Sequence, residues 1–321
     1  MEHVISNSPH VKSGNTTRKI MLDVVIALLP AAIVGMVFFG WSAVLVVLLS
    51  VLSAVLSEFV FLLCSKKKLT EILKTFDCSS VVTGLLLAMT FPPTVAWYVP
   101  VLGAIFAVVV VKMIFGGTGK NLVNPALTGR VFAFISFQAA MTSGWTAPLS
   151  HDVTAGATVL TDLLQNGLKD LSLRDLFLGV NLAGCIGETC KLALIVGGLY
   201  LIIRGVLDFR WPLVYLAATG LFTVALNGFN FAYFLPSILT GGVMLGAIFM
   251  ATDYTTTPNT KVGNYVYFIV LGILTAGLRQ ATGIEVVSFA ILLMNLTVPL
   301  IDKWIYPRPF GSHRAKKEDK Q

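Results

Sequence analysis

Long apolar stretches decide most of what this chain can become. From Ile20 to Gly40 the only charged residue is Asp23, and from Ser42 to Leu63 it is Glu58. A hydrocarbon core of ~30 Å is crossed by ~20 helical residues, and several further runs approach that length. In lipid every backbone polar group must be satisfied within the protein, which leaves helices or closed barrels. These runs are too long and too uniformly apolar for barrel strands. Composition agrees, with 12% charged and 56% hydrophobic residues, against about 25% charged in a soluble domain. The expected fold is an all-α polytopic membrane protein.

The net charge of +7 is no footprint of nucleic acid. The basic residues sit in short loops and in the tail "HRAKKEDKQ", where they set membrane orientation. Arg18-Lys19 before the first run resembles the start of a signal peptide. That run is long and further spans follow it, so it reads as a first anchor. The cysteines Cys64, Cys78, Cys185 and Cys190 show no CxxC spacing, and Cys64 and Cys190 read as small buried residues beside apolar runs.

Apolar runs lie near 20–39, 42–64, 79–91, 95–115 and 122–141, then near 189–203, 211–228, 236–252, 263–278 and 283–301. The domain reading follows from them: segment 1–19, a first five-span repeat over 20–141, a loop over 142–188, a second five-span repeat over 189–301, and a basic tail over 302–321. The loops "SKKKLTEILK", "GGTGKN", "RGVLDFR" and "TTTPNTK" are basic and, with the tail, share one side when the N-terminus is cytoplasmic. The loop 142–188 then lies outside, and its acids Asp152, Asp162, Asp170, Asp175 and Glu188 outnumber Lys169 and Arg174.

Two spans are unusual. "CSSVVTGLLLAMTFPP" and "PSILTGGVMLGAIFMATDYTTTP" each place Thr-Gly ahead of a Leu-rich or Met-rich run that ends at threonine and proline. Matching Thr83 to Thr240 suggests an internal duplication. Five spans per copy would invert the second copy, and short glycine-interrupted helices at matching places point to a midplane site. Thr-Gly can also serve close helix packing alone. Charges inside spans are costly and often mark a pathway. Glu58 and Asp253 are candidates for an ion pathway. Lys112, Asp253 and Asp302 lie near span ends, where snorkelling explains them. Asn124-Pro125 marks a helix break, and Arg130 beyond it suits an anionic or carbonyl-bearing ligand or a structural ion pair. Walker A, HExxH and CxxC motifs are absent. Redox chemistry would therefore need an embedded or attached cofactor, with partner subunits delivering electrons.

Four stretches together carry a resemblance. "AGAT" at 155–158, "NPALTGRVF" at 124–132, "GCIGETCKLALIVGGLYLI" at 184–202 and "TGGVMLGAIFMATDYTTTP" at 240–258 resemble the D subunit of the Rnf ion-translocating ferredoxin:NAD oxidoreductase. That family is homologous to the B subunit of the Na⁺-translocating NADH:quinone oxidoreductase. The resemblance implies a urea-transporter-like fold of two inverted five-helix repeats with broken half-helices. It implies a prokaryotic cell membrane, with both termini cytoplasmic and the 142–188 loop outside. It also implies FMN joined by a phosphoester to Thr158, with Asp152, Gly156 and Ala157 beside it. Ala155 departs from the Ser or Thr expected there. A non-covalent riboflavin is implied within the membrane part, near Asn124, Arg130, Thr83 and Thr240. The implied partners are the FMN-bearing G subunit, the integral A and E subunits, membrane lipid, and a flavin transferase during maturation. The implied role is that of an electron carrier, not catalytic alone, in a complex that couples electron transfer between ferredoxin and NAD to Na⁺ or H⁺ movement. A quinone-reductase subunit or a solute channel are the alternatives.

Overall fold

The computed structural model describes residues 16–143, 145, 172–179 and 183–305. Among these residues the secondary structure is helical, with no strand. The first helix, α1 (Thr17–Phe39), opens on Thr16, whose hydroxyl accepts from Lys19 N at 3.3 Å. It closes at Gly40, whose φ of 68° turns the chain directly into α2 (Trp41–Cys64). Many residues turned inward on these helices are small: Ala27, Ala31 and Gly35 on α1, and Ala43, Ser50 and Ala54 on α2. Leu45, Leu48, Leu52 and Leu56 are exposed on the other face of α2. Large apolar groups outside and small ones inside is the pattern of helices packing in lipid, where close backbone approach drives association.

The next element is broken. α3 (Leu69–Thr75) and α4 (Ser79–Met89) meet at 67°. Cys78, between them, has a φ of 63°. α4 packs tightly on α2, for a Cβ on Gly84 would lie 2.8 Å from Ser50 O. α5 (Tyr98–Ile105) continues as a π-helical stretch, Phe106–Met113. α6 (Pro125–Ser136) begins at the break expected from Asn-Pro. Asn124 caps it, its Oδ1 accepting from Ala126 N at 3.0 Å and Leu127 N at 3.3 Å, and Pro125 takes a first-turn position that needs no N–H. The short α7 (Gln138–Ser143) and α8 (Leu173–Leu178) lie on either side of the 144–171 stretch.

α9 (Lys191–Ile203) and α10 (Arg210–Leu226) are followed by a second broken element. There α11 (Phe234–Leu239) and α12 (Val243–Leu245, continued by a π-helical turn at Gly246–Met250) meet at 70°. Gly241, at this break, has a φ of 61°. The chain ends its described part with α13 (Lys261–Thr282) and α14 (Val287–Trp304).

Helix therefore covers each apolar run. Four helices, α1, α2, α13 and α14, are long and apolar enough to cross a membrane alone, or up to six spans if each bent pair counts as one. The shorter apolar helices are Tyr98–Met113, α9 and α10. The match of Thr83 with Thr240 does not hold as geometry. Thr83 lies inside α4 and Gly84 serves packing, whereas Thr240 ends α11 and Gly241 supplies a left-handed turn. Each break carries a residue of positive φ, Cys78 at the first and Gly241 at the second. The cysteines also differ from expectation: Cys64 is exposed, Cys190 half-buried and Cys185 buried.

Candidate functional site

Two clusters of buried charge lie in the interior, one at each helix break. The first surrounds Lys112. Its ammonium donates to Glu58 Oε1 at 3.1 Å, Ser79 Oγ at 2.7 Å and Ser80 Oγ at 2.9 Å. Ser80 also donates to the other Glu58 oxygen, and Ser79 to Asp77. Snorkelling is thus overturned for Lys112. The side chain is 1% exposed and turns inward because Glu58 and two serines there supply all three partners an ammonium needs. Glu58 is the counter-ion of Lys112.

Beside this centre lies a cavity of about 110 Å³ between the N- and C-terminal halves. Val24, Leu86, Leu201, Ile248 and Phe249 give it an apolar wall, and Thr83, Thr118, Asn121, Asn124 and Asp253 a polar one. Asp253 is held by Thr255, which donates through N at 3.2 Å and Oγ1 at 2.9 Å. Asn124 reaches across to donate to Met250 O at 3.2 Å, tying α6 to the end of α12. The buried Oδ1 of Asn121 has no hydrogen-bond partner among the described residues. Thr83, Asn124 and Asp253, candidates from the sequence, thus line one cavity. Asp302 serves elsewhere, accepting from Asn259 N at 3.0 Å and Nδ2 at 2.8 Å.

The second centre lies at the Gly241 break. Arg279 of α13 donates to Ser237 O at 3.0 Å and Thr240 O at 3.1 Å, and pairs with Glu285 at 2.6 Å. It thereby holds carbonyls at the end of α11, where a cation is favoured. A buried non-helical segment, Cys185–Thr189, wedges in from the other side. Ile186 N donates to Phe91 O at 3.1 Å and Gly187 N to Met89 O at 2.8 Å. These bonds place the Glu188 carboxylate against Gly242, where a Cβ would lie 2.9 Å from Oε1. Arg130 pairs with it loosely at 3.9 Å, and Lys191 donates to the Glu188 carbonyl. Glu188, counted from the sequence among the acids of an outside loop, is 7% exposed. Thr240 is also here, its hydroxyl unpartnered among the described residues.

Sequence reasoning singled out Arg130 and Thr240 but missed Glu188, Lys191, Arg279 and Glu285. Arg279 and Glu285 each fall beside an expected span end, where nothing in the local pattern separates a loop charge from a buried one. Asp152, Gly156, Ala157 and Thr158 lie outside the described residues.

Comparison with known proteins adds what the geometry cannot. The model of the NQR2, RnfD, RnfE family matches residues 4–311. A protein of Acetobacterium woodii, described as the D subunit of a Na⁺-translocating ferredoxin:NAD⁺ oxidoreductase complex, is 41% identical over 98% of both chains. A Clostridium ljungdahlii protein, described as the D subunit of a proton-translocating ferredoxin:NAD⁺ oxidoreductase complex, is 35% identical over 97% of this chain and 96% of its own. The D subunit of an ion-translocating oxidoreductase complex from Alcanivorax borkumensis is 35% identical over 97% of each. With the family model matched over residues 4–311 and these relatives covered almost end to end, the chain belongs to the NQR2, RnfD, RnfE family.

Proposed function

We propose that this chain is the membrane electron carrier, the D subunit, of an ion-translocating ferredoxin:NAD oxidoreductase. The observation that carries this reading is the 41% identity to a named D subunit over 98% of both chains. The chain acts with other subunits, among them the G, A and E subunits of such complexes. Thr158 carries FMN as a phosphoester, installed by a flavin transferase, and the motif Ala155–Thr158 supports this. A primary hydroxyl is not required for such an ester; the Thr158 hydroxyl needs only approach, and Gly156 and Ala157 leave that open. Bound there, a flavin would supply one-electron and two-electron redox chemistry.

In the same reading the cavity wall and tail lie on the cytoplasmic side and the Thr158 loop outside, which the distribution of Lys and Arg supports. Two inverted five-helix repeats with ten membrane segments account for the halves. Supporting this are two breaks bent by 67° and 70°, left-handed residues Cys78 and Gly241 at them, and a cation, Lys112 or Arg279, held at each break. An ion path would use Asp253 rather than Glu58, since Asp253 lines the cavity and Glu58 is bound to Lys112.

A second, non-covalent flavin suits the cavity by chemistry, with amide, hydroxyl and apolar groups all in its lining. It does not suit it by size. A cavity of roughly 150 Å³ holds one benzene ring, and this one, at about 110 Å³, is smaller, so three fused rings would extend beyond it. No electron step is therefore assigned to it.

The test is to co-express the chain with an active flavin transferase and run a denaturing gel. Flavin fluorescence should travel with the protein and vanish in Thr158→Ala. Fluorescence that persists in the variant sinks the site. Its absence from the wild type favours a transporter of the same architecture.

A further inference from the structure

The turn after α2 and the short helix α3 carry a charge pattern that neither polar centre uses. α2 is long and apolar enough to cross a bilayer. Its exposed stripe of Leu52, Leu56, Val60 and Leu63 is the face such a helix turns to lipid. At its end the chain closes in a Schellman turn, with Lys67 N donating to Leu62 O at 3.2 Å and Lys66 N to Leu63 O at 2.9 Å. The left-handed place in that turn, at a φ of 61°, belongs to Lys66 and not to the glycine that takes it most easily. Lys66, Lys67 and Lys68 are exposed, and among the described residues no ion pair uses them.

α3 then runs across the direction of the spans, for α4 packs along α2 and α3 meets α4 at 67°. One edge of α3 is turned to the protein. Ile72 there is fully buried, and Phe76 just beyond the helix sets its ring 5.6 Å from that of Phe59 on α2. The adjoining edge holds Leu69 and Leu73, one turn apart and 55% and 58% exposed. At about 100° per residue, Glu71 falls on the side opposite these leucines, and Lys74 also lies on the polar side. An isolated helix of seven residues does not hold by its own hydrogen bonds, so α3 depends on what its apolar edges pack against.

We propose that α3, with Lys66, Lys67, Lys68 and Lys74, is an interfacial anchor that binds anionic phospholipid headgroups in the leaflet at the end of α2. Leu69 and Leu73 enter the acyl boundary, as the apolar face of an interfacial helix does, and the lysine stems carry their ammoniums up to the phosphates. Two observations select this occupant. Over residues 65–75 four lysines stand against Glu71 alone, and the exposed leucines of α3 continue the lipid-facing stripe that ends at Leu63. The anchor is independent of the flavin on Thr158.

The test reads which lipid lies against α3. Leu73→Cys, in the full chain with its native cysteines replaced by alanine, is labelled with bimane and reconstituted in phosphatidylcholine bilayers. Brominated phosphatidylglycerol or brominated phosphatidylcholine is then titrated in, and quenching gives the association of each lipid with that position. Phosphatidylglycerol should associate more strongly by at least roughly fivefold, the effect of one lysine engaged at a charged surface. The triple variant Lys66→Gln, Lys67→Gln, Lys68→Gln should bring the two lipids level, and high salt should narrow the difference. A bimane at Leu52→Cys, on the stripe of α2, should be quenched alike by both. Equal association at position 73 with the lysines intact overturns the anchor. So does a label at 73 that neither lipid quenches while the one at 52 is quenched, which would turn α3 toward water or a protein partner.

Discussion

The two polar centres solve one problem in opposite ways. Each marks a break in a helix where backbone groups lose their partners inside an apolar protein, and each brings a cation from a neighbouring helix to that break. At the first, Lys112 has its full set of three acceptors, and both Glu58 oxygens are bound. At the second, Glu188 Oε1, Arg279 Nε and Thr240 Oγ1 have no hydrogen-bond partner among the described residues. Charge balance differs too. Lys112 stands against Glu58 and Asp77, whereas Arg130, Lys191 and Arg279 stand against Glu188 and Glu285. A fully bonded centre is a lock. One with unused donors and acceptors can exchange partners, since buried polar groups left unpaired favour any arrangement that satisfies them.

The largest expected effect follows from the lock. Lys112→Met leaves Glu58 buried with no counter-ion, and breaking such a pair costs about 3–5 kcal/mol. Denaturant unfolding of the purified protein in detergent should show that loss. Pairing Lys112→Met with Glu58→Gln should recover most of it, because the unpaired charge is gone. A loss below about 1 kcal/mol in the single variant would deny that the centre is a lock. A smaller effect belongs to Arg279→Lys. Lysine keeps the charge beside Glu285 but cannot present the planar fork that reaches Ser237 O and Thr240 O together. One carbonyl is left bare, at a cost of about 1–3 kcal/mol in the same measurement. An Arg279→Lys variant as stable as the wild type would show that the fork is dispensable.

The fold was legible where a residue's role is set by its neighbours in sequence. The apolar runs, the Asn124 cap with Pro125 after it, and the presence of two broken elements all follow from local chemistry. Register between the two broken elements was not. Thr-Gly occurs in both, but Gly84 meets α2 while Gly241 supplies a positive φ, and only tertiary contact separates those uses. Pairing was illegible as well. Lys112 and Glu58 are 54 residues apart, and nothing in either span says that they meet. Glu188 misled most, because a glutamate between a polar loop and a span reads as solvated. Its burial depends on the bonds from Ile186 and Gly187 to Phe91 and Met89, which no pattern within "GCIGETC" announces.

Arg130 gives the smallest effect and the sharpest test of the contrast. Its guanidinium lies 3.9 Å from Glu188, beyond hydrogen-bond distance. Arg130→Gln therefore removes Coulomb attraction but no hydrogen bond, and Glu188 Oε1 is already unbonded among the described residues. Lys191, whose ammonium binds the Glu188 carbonyl, still compensates the carboxylate. The cost should be about 1 kcal/mol, well short of that for Lys112→Met, because a loose pair in a mixed environment gains less than a bonded one. If Arg130→Gln destabilises as much as Lys112→Met in the same unfolding measurement, the second centre is as rigid as the first. Its unpaired atoms would then reflect close packing around a fixed charge network, with no capacity to exchange partners.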